Sequence, residues 1–212
     1  MKISKAFTLA EVLITLGIIG VVATMTMSVL YGKYQNYVLK KRFAKSYSLI
    51  NNTLNYIYEA NGLSVPECYR INSSNLASTD CDWVKEEFLK KLNIIKTCPN
   101  KAFENGCIAE YTSDFVMPTY EKLYSKDKIN NSIPAYVLND GTIILGADNT
   151  KFPTVISIDL NGKKGPNKFG YDIFTFHLYY KDNKWYFNAS NGAVENGGKT
   201  SAEMLRELNL SD

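Results

Sequence analysis

The chain has 212 residues, 45% of them hydrophobic and 21% charged, an ordinary composition for one globular domain with an appendage. Its 24 basic and 21 acidic residues leave a formal net charge of +3. That balance excludes a strong sequence-independent pull toward nucleic acid.

The N-terminus is the most informative stretch. Lys2 and Lys5 precede Ala6-Phe7-Thr8-Leu9-Ala10-Glu11, and after Glu11 no charge recurs until Lys33. A secretory signal would explain the basic start, the apolar run Val12–Val22 and the small-residue step Val21-Val22-Ala23. Two features oppose it. The run opens with an acid, and it continues to Leu30, long enough for a bilayer core that needs about 20 residues. Placing a carboxylate in such a segment costs roughly 2.5–3.5 kcal/mol at its centre and less near an end.

Ala6-Phe7-Thr8-Leu9-Ala10-Glu11 followed by Val-Leu-Ile-Thr-Leu-Gly-Ile-Ile-Gly resembles the leader and first helix of type IV pilin-like proteins, the pilins and pseudopilins. The resemblance covers about thirty residues. It implies that a prepilin peptidase cuts between Ala6 and Phe7 and methylates the Phe7 amine, making N-methylphenylalanine. Ala6 stands where the family usually has Gly. Residues 1–6 are then a leader, 7–32 the transmembrane and assembly half of a long helix, and 33–212 a periplasmic or extracellular head. Expected partners are other pilins or pseudopilins, the inner-membrane assembly platform, and the lipid bilayer before assembly.

The signature has its own physical logic. Cleavage after Ala6 creates an ammonium at Phe7, one helical turn before Glu11. A free amine at a helix start opposes the dipole. A neighbouring copy's amine therefore suits Glu11 better in a medium where an unpaired charge is costly. Such head-to-tail contacts need not close, and open ones generate helical filaments. Lys2 and Lys5 before the span orient it with the N-terminus cytoplasmic. Losing them with the leader leaves 22 basic and 21 acidic residues, a net +1.

Beyond the span the helical spacing continues through Tyr34, Tyr37/Val38, Ala44, Tyr47, Ile50, Leu54 and Ile57, with Asn61-Gly62 as a stop. Phe7 to Ala60 reads as one helix, with Gly17, Gly20 and Gly32 as weak points. Lys40-Lys41-Arg42 reads as a solvated face rather than a site for lipid headgroups or acidic partners. Leu63–Ile133 reads as irregular apart from a short helix over Asp82–Ile95, capped by Asp80 or Asp82. Four cysteines in an exported domain suggest two disulfides. The pairing Cys68–Cys81 and Cys98–Cys107 closes the shortest loops. Zinc is disfavoured, since there is no C-x-x-C pair and His177 is the one histidine in the sequence.

The remainder predicts an antiparallel sheet. Ala135–Asn139 and Thr142–Gly146 flank the turn signal Asp140-Gly141. Val155–Leu160, Asp172–Tyr180 and Trp185–Asn188 follow, and Thr200-Ser-Ala-Glu203 is a capping box opening a terminal helix. The expected fold is α+β, a long N-terminal helix on a C-terminal antiparallel sheet.

Between two of these strands, Asp159, Asn161, Asn167 and Asp172 supply hard oxygens of the kind calcium takes, with Gly162, Gly165 and Gly170 between them. The spacing is not an EF-hand, and Lys163, Lys164 and Lys168 oppose a cation. The alternative is a long turn in which both aspartates cap backbone amides. Calcium is the one cofactor the sequence suggests. Nucleophile elbows, phosphate loops, dinucleotide fingerprints and H-E-x-x-H are missing, so no enzyme is expected. His177 reads as an exposed strand-face residue. The expected function is a structural subunit of a type IV pilus or a type II secretion-type pseudopilus. The alternatives are a single-pass or secreted binding domain, and a DNA-binding minor pilin of an uptake system.

Overall fold

The computed structural model describes residues 8–61, 82–115, 125–146, 155–181, 184–189 and 194–208. The chain divides into two compact units, Met1–Leu39 and Lys40–Asp212. Helix α1 covers Leu9–Asn61 without interruption at Gly17, Gly20 or Gly32, so none of the three melts it. In the first unit its large apolar side chains, among them Leu13, Ile18 and Val22, are exposed all round. By length and composition this helix can cross a membrane.

The second unit is built on a six-stranded sheet: β1 (Ile94–Cys98), β2 (Ala135–Leu138), β3 (Ile143–Leu145), β4 (Val155–Asp159), β5 (Ile173–Lys181) and β6 (Lys184–Ala189). Each strand pairs antiparallel with the next in sequence. Among the described residues three short helices accompany it: α2 (Asp82–Lys91), α3 (Lys126–Asn131) and α4 (Ser201–Glu207). The β2–β3 hairpin turns at Asp140-Gly141, where Gly141 takes φ +85° and the Asp140 carboxylate accepts from the Thr142 amide at 3.0 Å. Thr200 and Glu203 form the expected capping box of α4.

Period-two alternation sends side chains to two different layers. Ile144, Ile158 and Phe174 stand in register on one face, toward α1. There Phe43 meets Phe174 edge-on at 4.9 Å between ring centroids, and Phe176 at 5.5 Å. Ile143, Leu145, Val155 and Ile173 face the other way. They join Cys98, Cys107, Tyr111, Ile129 and Phe169 in a second apolar cluster. With both faces covered, every residue of β4 is buried, the polar Ser157 and Asp159 included. Ser157 and Thr175, also buried, satisfy each other through their hydroxyls at 2.7 Å.

The buried stripe of α1 is Phe43, Ser46, Ile50, Leu54 and Ile57, at helical three- and four-residue steps. It includes the expected Ile50, Leu54 and Ile57. Its anchor, however, is Phe43, hidden in sequence behind three cations, while Tyr34 and Tyr37 are exposed. The basic cluster also departs from expectation, since it is not simply solvated. Lys40 pairs with Glu207 at 2.6 Å and Lys45 with Asp140 at 2.6 Å, and Arg42 donates to the Leu160 carbonyl at 3.0 Å.

The stretch expected to be irregular contains β1 and α3. Helix α2 stops at Lys91, and Ile94–Cys98 forms an edge strand instead of the last helical turn. Adjacent β-branched Ile94 and Ile95 favour strand geometry, and the Asn93 carbonyl is taken by the Asn139 amide. Cys98 and Cys107 are bonded, nine residues apart; Cys68, Cys81 and Asp80 lie outside the described residues.

Two outcomes follow. Phe43→Ala removes a fully buried ring, and lowers unfolding free energy by about 3–5 kcal/mol, whereas Tyr34→Ala changes it by less than about 0.5 kcal/mol; denaturant titration of the full chain in micelles compares them. Replacing Cys98 and Cys107 with Ala opens a short loop and lowers stability by about 2–4 kcal/mol, read as an earlier denaturation midpoint.

Candidate functional site

Two places carry the residues singled out in the sequence: the start of α1 and the β4–β5 loop. Ala6 and Phe7 lie outside the described residues. Glu11 is the third residue of α1, and Thr8 precedes the helix. Glu11 Oε2 accepts from the Thr8 amide and from the Thr8 hydroxyl, both at 2.8 Å. The Glu11 amide donates back to Thr8 Oγ1 at 3.3 Å. This is a capping box, Thr8-Leu-Ala-Glu11, which satisfies two donors that a helix start leaves open. The S/T-x-x-E spacing was readable in the sequence, and the oddity of the charge obscured it. Glu11 therefore has a local partner in the isolated chain. It has no cation there among the described residues, because the salt bridges all lie elsewhere.

The β4–β5 loop draws Asp159, Asn161, Asn167 and Asp172 together. Asp159 Oδ1 accepts from the amides of Asn161 at 3.0 Å and Gly162 at 2.8 Å. Asp172 accepts from the amides of Asn167 and Lys168, each at 2.8 Å. Both aspartates thus cap backbone amides, as the turn reading expects. Gly162 is required at its position: φ is +67°, and a β-carbon would meet the Gly141 carbonyl oxygen at 2.5 Å.

Electrostatically the buried interior of the loop is dominated by its two carboxylates, Asp159 and Asp172. Burial, then the Asp172 charge, holds the Asp159 carboxyl well above the usual carboxylate range, while the Asn161 and Gly162 amides and Arg42 pull it down. Burial raises Asp172 as well, against the amides of Lys168 and Asn167. Asn161 Oδ1 and Asn167 Oδ1 are buried and accept no hydrogen bond. Each such orphan costs about 1–3 kcal/mol. Lys163, Lys164 and Lys168 are exposed. Two carboxylates with two unused amide oxygens fit a hard cation such as calcium. Among the described residues no group of three or more His, Cys, Asp or Glu side chains could hold a metal, so amide and backbone oxygens would complete such a shell.

A residue without any sequence signal fastens this loop to its surroundings. Glu195 accepts from the Tyr111 hydroxyl at 3.0 Å, the Ser113 hydroxyl at 2.6 Å and the Phe169 amide at 3.0 Å. Burial, then the Glu195 charge, pushes the Tyr111 phenol up. Asn130 of α3 clamps the Tyr111 backbone from the other side, donating to its carbonyl and accepting from its amide, each at 2.9 Å. His177 is half-buried on β5 rather than exposed as expected, and burial lowers its pKa.

No curated protein and no solved structure matches the chain. Residues 1–27 match the model of the prokaryotic N-terminal methylation motif. That motif implies prepilin-type processing and pilin-type assembly, and together with the apolar first half of α1 it is consistent with membrane anchoring. The N-terminus thus carries a prepilin-type methylation motif, and the long helix before an antiparallel sheet is consistent with a type IV pilin-like protein.

Proposed function

We propose that this chain is a structural subunit of a type IV pilus or type II secretion-type pseudopilus. In this reading prepilin peptidase cuts between Ala6 and Phe7 and methylates the new amine. The anchored precursor keeps its N-terminus cytoplasmic and its head outside the membrane, and the mature subunit joins a helical filament. One observation carries the reading: Glu11 opens an apolar helix whose large side chains are exposed, and among the described residues no cation pairs with it. Lipid can cover the apolar surface before assembly, and packed helices of other copies can cover it afterwards. A neighbouring Phe7 ammonium would neutralise Glu11 there, better placed than the chain's own amine, which opposes the dipole of its helix. The function is mechanical, with subunits added at the base pushing the fibre outward.

The capping box makes a sharp test available. Glutamine at position 11 preserves the cap, because Gln serves at that place as well as Glu, but it carries no charge. Leaving the neighbouring amine unpaired costs about 3–5 kcal/mol. Both Glu11→Ala and Glu11→Gln should therefore lower filament incorporation by roughly a hundredfold or more, scored by shearing and immunoblot. Wild-type assembly by Glu11→Gln, or a mature chain that still begins at Met1 by mass spectrometry, removes the reading.

The β4–β5 loop is read as a calcium site held by Asp159, Asn161, Asn167 and Asp172, supported by the two orphaned amide oxygens. Calcium would bring charge to a pair of buried carboxylates and fix the loop; nothing in the reading requires it for chemistry. At saturating calcium the melting temperature of the full chain should rise by about 5–10 °C over an EDTA control. Asp172→Asn should abolish the rise. Equal melting with and without calcium ends the assignment.

A further inference from the structure

Gly106 lies in the disulfide-closed segment with φ +68°, and its amide donates to the Phe103 carbonyl. Two ammonium groups converge over its bare face. Lys96 Nζ, from β1, stands 3.5 Å from the point a β-carbon on Gly106 would occupy, and Lys163 Nζ, from the β4–β5 loop, stands 3.6 Å from it. Segments far apart in sequence thus bring two cations to one spot. Neither lysine has a hydrogen bond or ion pair to its side chain among the described residues.

The surrounding acids are already committed. Glu104 pairs with Lys101 at 3.0 Å. Asp159 and Asp172 are buried and accept from backbone amides. Lys164 and Lys168, exposed on the same loop, add further positive charge. Two ammonium groups placed together repel unless an anion lies between them. An oxyanion in that position would accept a charge-assisted hydrogen bond from each, at about 2.7–2.9 Å. A multiply charged oxyanion matches two cations better than a halide, which offers one atom to both. Glycine suits the floor of such a site, since any side chain would fill the space between the ammonium groups and would strain at this φ.

We propose that Lys96 and Lys163, over the bare backbone of Gly106, bind an oxyanion of the phosphate class. The site depends neither on Glu11 nor on calcium.

The test is an amide NMR titration of the isotope-labelled full chain in nonionic maltoside micelles, with EDTA present throughout. Inorganic phosphate is added against sodium chloride at matched ionic strength. The Gly106 and Cys107 amides should shift saturably with phosphate and not with chloride. Lys96→Gln and Lys163→Gln should each weaken the response by about tenfold, with the rest of the spectrum unchanged. Lys164→Gln, a neighbouring charge that does not converge on Gly106, should leave it intact. A second arm adds phosphatidylglycerol to the micelles without free phosphate. The same shift there assigns the anion to a lipid headgroup; a shift with inorganic phosphate alone assigns it to a solute. The proposal falls if neither arm gives a saturable shift, if chloride matches phosphate, or if the response survives loss of both lysines.

Discussion

The contact between the Phe43 ring and Phe174 and Phe176 organises the second unit. It lays one stripe of α1 on the sheet, and so supplies the cover that β3, β4 and β5 need on that side. The disulfide-closed segment, Tyr111 and α3 cover the opposite side. A sheet sealed on both faces accommodates a strand such as Val155–Asp159 that is buried along its whole length. It also demands that each inward polar group find a partner, which Ser157, Thr175 and Ser201 do: the Ser201 hydroxyl donates to the Thr175 carbonyl at 2.8 Å. Around the aromatic contact, Lys40, Arg42 and Lys45 reach Glu207, Leu160 and Asp140 respectively. Pairs this exposed add little free energy individually, and their value lies in fixing the azimuth of the helix, since one face presents both the apolar stripe and its flanking cations.

The β4–β5 loop is the expensive part of the architecture. Two carboxylates are withdrawn from water within each other's field, and two amide oxygens are withdrawn with no donor. Backbone amides offset part of that penalty, and Arg42 offsets a little more from α1. The apolar side of the molecule depends on nothing so finely balanced.

Much of this was legible in the amino-acid order. Asp140-Gly141 announced its hairpin because only a few residues accept the required backbone angles, and Thr200 with Glu203 announced α4 because capping depends on near neighbours. Ile50, Leu54 and Ile57 kept their helical phase. The misreadings share a cause. Phe43 sits directly after Lys40-Lys41-Arg42, so the local average hid the most buried ring of the helix. Ile94 and Ile95 continue an amphipathic helical pattern, yet pairing with β2 claims them, and pairing is a non-local fact. Glu195 shows the limit more plainly: nothing near it in sequence marks it, since its three donors come from segments 26 to 84 residues away. The aspartates and asparagines of the β4–β5 loop were found by residue type, whereas their burial, which gives them their chemistry, had to come from the fold.

Glu195 also determines how this region comes apart. A single carboxylate is the shared acceptor for the stretch after the disulfide and for the start of the turn that leads into β5. Fraying of either stretch strands the acceptor that the other one uses, so the two have one breathing motion between them. The natural unit of local opening is therefore a patch on one side of the sheet that joins both stretches, and not any one loop of the chain.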